Sequence, residues 1–109
     1  MDEVRARKIA KLNDTVRQTF AGGIISLTAG VIGLPDDQRL LVLQKVQQFD
    51  EFTPDNDPYG EHDFGLIQVG RVRIFFKFDY YDLSLSRHSD PASVSQTRRV
   101  LTIMLAEEY

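Results

Sequence analysis

The dipeptide Gly70-Arg71 stands between two runs of residues in which apolar and polar side chains alternate. Glycine at the first of two turn positions favours a type II′ turn, whose twist matches that of a β-hairpin. A turn over Val69-Gly70 would instead require a valine at positive φ, which is sterically poor. We therefore predict a hairpin with one consistently apolar face, and that face specifies its register. The predicted pairs are Val69–Val72 and Ile67–Ile74 on that face, and Gln68–Arg73, Leu66–Phe75, Phe64–Lys77 and His62–Asp79 on the other.

The chain before the hairpin predicts two helices and a short strand. Residues 2–20 have the spacing of an amphipathic helix that ends at Gly22-Gly23, and residues 24–29 are typical of a strand. Pro35 marks the start of the second helix, because proline at the first helical position loses no hydrogen bond. The predicted buried residues are Ile9, Leu12, Val16 and Phe20, then Leu40, Leu43, Val46 and Phe49, while Arg5, Arg7, Lys8, Lys11 and Arg17 are predicted to face mostly solvent.

The chain after the hairpin predicts a third helix that runs nearly to the C-terminus. Asp90 is a favoured N-cap residue, Pro91 suits the first helical position, and apolar residues from Val94 to Leu105 recur at helical spacing. The element order is then α-β-α-β-β-α. We expect a single α+β domain over residues 1–109, with helices packed mainly on one face of a small three-stranded antiparallel sheet.

Composition excludes several classes of protein. The 109 residues include no cysteine, which excludes disulfides, thiolate catalysis and cysteine-bound zinc. The net charge of −3 argues against direct nucleic-acid binding through a basic surface, including binding by the basic face of the first helix. No run approaches the ~18 apolar residues of a membrane span, and the chain begins without a signal-peptide pattern. We therefore expect a cytoplasmic protein without a membrane partner.

The interval from Val46 to Gly70 contains no lysine or arginine but many acidic residues. Like charges repel unless a cation, arginines from elsewhere in the fold or a basic partner neutralise them. Aromatic residues among the acids would anchor a protein partner that the charges attract. This pattern favours a non-enzymatic interaction surface. The residues predicted to bind the partner are Asp55, Asp57, Tyr59, Glu61, Asp63 and Tyr81.

A second hypothesis is a small hydrolase or nuclease. His62 facing Asp79 across the hairpin, with Lys77 beside it, would have the arrangement of a general base. The hydroxyls of Thr28, Ser84, Ser86 and Ser89 are candidate nucleophiles without supporting spacing. No metal ligands are assigned and no cofactor is expected, but this hypothesis leaves open Mg²⁺ or Ca²⁺ on carboxylates of 55–63 with Asp79 or Asp82. A purely structural His–Asp pair is the competing interpretation.

Three segments resemble a bacterial family, the domain-of-unknown-function family 3768: NDPYGEHDFG at 56–65, FFKFDYYD at 75–82 and DPASVSQTRRVLTIMLAEEY at 90–109. The resemblance implies no established activity. It implies a small alphaproteobacterial protein, often encoded near mobile-element genes. The motif residues of the resemblance are Glu61, His62, Asp63, Lys77, Asp79, Tyr80 and Tyr81.

Taken with the acidic interval, the resemblance is consistent with a mobile-element accessory protein or anti-defence inhibitor. Such a protein would bind a basic partner that handles nucleic acid. The sheet edges that a small hairpin sheet leaves exposed also leave a homodimer open.

Overall fold

The protein is described over residues 3–109 by a computed structural model, so the predicted helix start at residue 2 lies outside the described residues. The hairpin forms as predicted. Its register is confirmed from Phe64–Lys77 to Val69–Val72, and Gly70 has a φ of 60° in the turn. The elements are α1 (Glu3–Thr19), β1 (Ile24–Leu27), α2 (Ala29–Ile32), α3 (Asp36–Gln48), β2 (Phe64–Val69), β3 (Val72–Tyr81), β4 (Arg98–Leu105) and a final 3-10 turn (Ala106–Glu108).

The α+β class is confirmed, but the predicted three-stranded antiparallel sheet is wrong. The sheet has four strands in the order β1-β4-β3-β2, and β1 runs parallel to β4. The predicted third strand is therefore present, but it reaches the hairpin only through β4. This extra strand turns an antiparallel sheet into a mixed one.

The predicted C-terminal helix is the source of that error, because Arg98–Leu105 is a strand. Asp90 does accept the N–H of Ala92 at 2.9 Å, but the capping interaction closes only an isolated turn. Arg99, Leu101 and Ile103 are buried while their neighbours Arg98, Val100 and Thr102 are less so, which is the two-residue period of a strand. The segment contains apolar residues at both helical and strand spacing, and pairing on both sides decides for the strand.

The helices cover one face of the sheet. The core beneath them includes Val16, Val42, Val46, Phe76 and Leu101. The buried stripe predicted for α3 is partly wrong, because Leu40 is 57% exposed and Val42 is buried instead. Pro35 is the N-cap residue of α3 and not its first helical residue, so the helix begins one residue later than predicted, at Asp36. No helix among residues 3–109 has the length and apolar character that a membrane crossing requires.

Candidate functional site

Residues 50–63, here called the acidic loop, connect α3 to the hairpin without helix or strand. Asp57 organises this loop from inside. It is only 7% exposed, and its carboxylate accepts the backbone N–H groups of Glu61 at 3.1 Å and His62 at 3.2 Å. Asp57, predicted to bind a partner, has a buried carboxylate that holds the backbone of its own loop. Gly60 and His62 have positive φ values of 69° and 54°, which let the chain turn around that carboxylate.

The His62 side chain lies under the loop and faces α1. Its Nδ1 is 3.0 Å from both carboxylate oxygens of Asp14, and its Nε2 is 3.8 Å from the Asp57 carboxylate. Because a carboxylate only accepts, the ring donates its Nδ1 proton to Asp14. The imidazole also stacks on Phe52, with the ring centroids 3.9 Å apart and the planes within 4°. The ring is thus held by one carboxylate and one aromatic face.

The predicted pair of His62 and Asp79 is not formed. The strand β2 begins at Phe64, and the left-handed backbone of His62 turns the side chain away from the hairpin. Asp79 instead accepts a hydrogen bond from Lys77 at 2.8 Å, on the face of the sheet opposite the helices. That bond raises the pKa of Lys77. The three residues of the predicted catalytic group are therefore divided between two places.

Arg17 forms an ion pair with Asp14, the same carboxylate that faces His62. Its Nη2 donates to Asp14 at 2.9 Å, and its Nη1 donates to the carbonyls of Val46 and Gln47 at the end of α3. The side chain is almost fully buried, and its guanidinium lies 5.4 Å from the centroid of Phe52. The sequence interpretation placed Arg17 among the solvated charges of α1, which is wrong. It joins α1, α3 and the acidic loop.

A second buried arginine, Arg99 on β4, contacts α1 at Asn13, one turn before Arg17. Arg99 is 4% exposed and donates from Nε to the Asn13 side-chain oxygen at 3.0 Å. Asn13 in turn donates to the Tyr80 hydroxyl at 2.8 Å and to the carbonyl of Glu61 at 3.0 Å. Among residues 3–109, Arg99 has no carboxylate in an ion pair and its Nη2 has no hydrogen-bond partner. Burial lowers the pKa of Arg99 and raises the pKa of Tyr80 to about 12.

A cleft of about 430 Å³ opens between α1 and the acidic loop. Ala6 and Arg7 form its helical wall, and Phe52, Tyr59 and His62 form much of the opposite wall. Tyr59 is 63% exposed at the rim. The site therefore combines an open cleft with an imidazole whose orientation is set by its hydrogen bond to Asp14.

The remaining predicted binding residues are distributed unequally around this cleft. Asp55 is exposed, and Glu61 and Asp63 are half-buried. Burial, together with the neighbouring Asp63 carboxylate, raises the pKa of Glu61; burial and the Asp57 carboxylate raise the pKa of Asp63. Tyr81 lies apart, at the end of β3, where it stacks on His88. The acidic loop thus retains a cluster of carboxylates that repel one another.

The hydroxyls predicted as candidate nucleophiles form hydrogen bonds away from His62. The hydroxyls of Ser84 and Ser86 bond to Asp82, Thr28 bonds to Glu108, and Ser89 bonds to Thr97 and the Gln96 carbonyl. Within residues 3–109, no three histidine, aspartate or glutamate side chains are arranged to hold a metal ion. Thr53, whose side chain carries a hydroxyl, is among the residues that line the cleft.

Comparison with protein families matches residues 27–108 to the family described as "Protein of unknown function (DUF3768)". The chain belongs to this family. The matched region of this family member contains the acidic loop and the strands β2, β3 and β4, whereas α1 precedes it. Asp14, Asn13 and Arg17 therefore come from outside the matched region, although His62, Tyr80 and Arg99 lie inside it. Neither the curated proteins nor the solved structures contain a match to the chain.

Sequence reasoning found His62 but missed the residues of α1 that hold it. One signal was available. Asn13 and Arg17 share a helical face with Ile9 and Val16, so polar side chains interrupt the buried stripe. A polar residue on a buried stripe requires a partner: Asn13 finds its partners in the acidic loop, β3 and β4, and Arg17 finds its partners in α1 and α3.

Proposed function

We propose that this family member is a non-enzymatic protein-interaction module whose acidic loop binds a basic protein. The observation that carries the proposal is the set of loop carboxylates without an ion pair in the described part of the chain. Among residues 3–109, Asp50, Glu51, Asp55, Glu61 and Asp63 form no ion pair with lysine or arginine. Burial is the main cause of the raised pKa values of Glu61 and Asp63, and neighbouring carboxylates raise both further, while the charge of Arg5 partly offsets the shift of Glu61.

The chemistry of the loop supports one kind of partner. Carboxylates around an exposed tyrosine and an open cleft offer charge for steering and an aromatic anchor for affinity. Proteins that handle nucleic acid have basic surfaces for phosphate groups, and an acidic loop can occupy such a surface. A role as an anti-defence inhibitor or mobile-element accessory is the cellular form of this proposal. It would act by competing with nucleic acid for the partner.

A labelled arginine-rich peptide tests the binding chemistry directly. We expect it to bind the intact chain, and we expect D55K to weaken binding roughly fivefold, which corresponds to the ~1 kcal/mol of a good exposed ion pair. Raising the salt concentration should reduce both the affinity and the effect of the substitution. Y59A should also weaken binding by removing the exposed anchor.

The matched control is D37K, which makes the same change in net charge at an exposed position in the first turn of α3. It should leave binding nearly unchanged. Equal losses for D37K and D55K would mean that the peptide responds only to total charge, and the loop would not be the binding surface. Binding that is insensitive to salt would also contradict the proposal.

The Asp14–His62 pair at the cleft favours a second candidate, a small hydrolase with His62 as general base. In this form Asp14 replaces Asp79 as the residue that orients the imidazole. H62Q retains a polar side chain, so it should fold and lose hydrolysis of a phosphodiester or ester probe. It should bind the arginine-rich peptide like the wild type if the interaction module is correct. These two readouts separate the candidates.

A further inference from the structure

The strand β2 forms one edge of the sheet, because the strand order ends β4-β3-β2. The ladder itself shows which backbone groups this edge leaves unpaired. Asp63 and Phe78 are directly opposite, and the Phe78 N–H donates to the Asp63 carbonyl at 2.9 Å. Hydrogen-bonded and non-bonded positions alternate along an antiparallel pair. The N–H and C=O groups of Phe64, Leu66 and Gln68 therefore point outward.

Among residues 3–109, no loop or helix contributes a backbone hydrogen bond to Phe64, Leu66 or Gln68 at this edge. The segment FGLIQV contains no charge and no proline, and its register with β3 is continuous, so it has no bulge. Charged residues, prolines and bulges are the features by which sheet edges normally avoid pairing, and β2 has none of them. Leu66, at the centre of the strand, is 41% exposed.

The space beside the edge is open. A groove of about 310 Å³ separates β2 from the end of α3, between Gln48 and Phe49 on one side and Leu66 and Gln68 on the other. A strand added to β2 would have outward backbone groups to pair with, and the end of α3 would border it across the groove.

The charges at the two ends of β2 favour a second copy of this chain as the added strand, and they favour an antiparallel direction. The acidic residues Glu61 and Asp63 stand at the entry of β2, whereas Arg71 and Arg73 follow its exit. Neither arginine is in an ion pair among residues 3–109. A second copy of β2 that runs antiparallel brings the acidic entry of one copy to the basic exit of the other. A parallel copy would instead place like charges together.

We infer that the chain forms a symmetric dimer through antiparallel pairing of β2 with β2 of a second copy. Outward groups pair with outward groups when Leu66 lies opposite Leu66 of the other copy and Phe64 lies opposite Gln68. This register also brings Glu61 toward Arg71. The two four-stranded sheets become one continuous sheet. The inference shares Glu61 and Asp63 with the proposed function, but its test uses position 66 on β2, outside the acidic loop, so the two can fail separately.

The register makes a charge-complementation experiment possible, because one substitution at position 66 appears twice at the two-fold axis. L66K and L66E should each weaken the dimer by about tenfold or more in sedimentation, since like charges meet directly. An equal mixture of the two should recover dimers, because lysine then faces glutamate. L40K, at another exposed leucine on α3, should leave the wild-type dimer unchanged.

A cysteine pair provides a second measurement that does not depend on charge. The chain contains no cysteine, and directly opposite residues of a bonded antiparallel pair have Cα atoms about 5.5 Å apart, within disulfide range. L66C should form a disulfide-linked dimer at least about tenfold faster than L40C, because pairing makes the reaction effectively intramolecular. A monomeric wild type, a dimer unaffected by L66K and L66E, or equal rates for the two cysteine variants would each overturn the inference.

Discussion

Two buried arginines, Arg17 on α1 and Arg99 on β4, lie at the same buried face of α1, and their surroundings differ. Arg17 has a carboxylate, two helix-end carbonyls and an aromatic face, although its Nε, like the Nη2 of Arg99, has no hydrogen-bond partner among the described residues. Arg99 has an amide oxygen at 3.0 Å, a Ser93 carbonyl at 3.5 Å and the ring of Tyr80, with no described carboxylate in an ion pair. A buried charge stabilises a fold only when its partners offset the loss of water. The contacts of Arg17 should therefore contribute to the stability of the fold, and the contacts of Arg99 should contribute little.

The largest effect is expected for R17M, which removes the cation but keeps much of the side-chain volume. Asp14 would lose its arginine, and the carbonyls of Val46 and Gln47 would lose their donor. We expect the free energy of unfolding to fall by about 3 kcal/mol in chemical denaturation. R7M on the exposed side of the same helix is the control, with an expected change below ~0.5 kcal/mol. Equal losses for both variants would remove the distinction between the two faces of α1.

Y80F tests the hydrogen bond between Tyr80 and Asn13, the uncharged residue of α1 that also accepts a hydrogen bond from Arg99. It removes the hydroxyl that accepts from Asn13 at 2.8 Å and leaves the ring against Arg99. The expected loss is about 1 kcal/mol, the usual net contribution of such a hydrogen bond. Thermal or chemical denaturation measures it, and a loss as large as that of R17M would show that the Asn13 network is as important as the ion pair.

R99M sharpens the comparison most directly, because it makes the same chemical change as R17M at the unpaired site. The methionine leaves the Asn13 side-chain oxygen without its donor but removes a cation whose Nη2 has no described partner. We expect the free energy of unfolding to change by less than about 1 kcal/mol. A cost equal to that of R17M would mean that Arg99 has stabilising surroundings that its contacts do not reveal.

The smallest effect is expected for D63N, and it depends on pH. The folded-state pKa of Asp63 is raised above its ordinary value of 3.8, so the folded protein binds this proton more tightly than the unfolded chain does. The carboxyl group therefore favours folding fully below its ordinary pKa and loses that contribution as pH rises through the folded-state pKa. At neutral pH D63N should be slightly more stable than the wild type. Denaturation at a series of lower pH values should show this advantage disappearing, whereas an advantage that grows in acid would contradict the assigned direction.

The hairpin and the final strand show why prediction succeeded in one place and failed in another. The pairing of β2 with β3 depends on a two-residue turn and on alternation within nearby residues, all of which are local in sequence. The strand β4 pairs with β3 and also with β1, which is more than seventy residues away: Leu27 lies opposite Ile103. Asp90 and Pro91 looked like a helix start, but local capping cannot outweigh hydrogen bonds to two neighbouring strands.

The candidate site shows the same division. Sequence alone identified the acidic loop, His62 and the absence of neighbouring lysine and arginine, because charge and residue type are properties of the segment itself. The carboxylate that faces His62 was assigned to Asp79, but a left-handed residue at the loop's end directs the ring to Asp14 on α1 instead. Segment identity and turn-defined pairing are thus encoded locally. Tertiary packing decides the rest, because it determines which distant segments meet on the buried side of the sheet. It makes Arg98–Leu105 a strand, places Asp14 against His62, and gives the two buried arginines different surroundings.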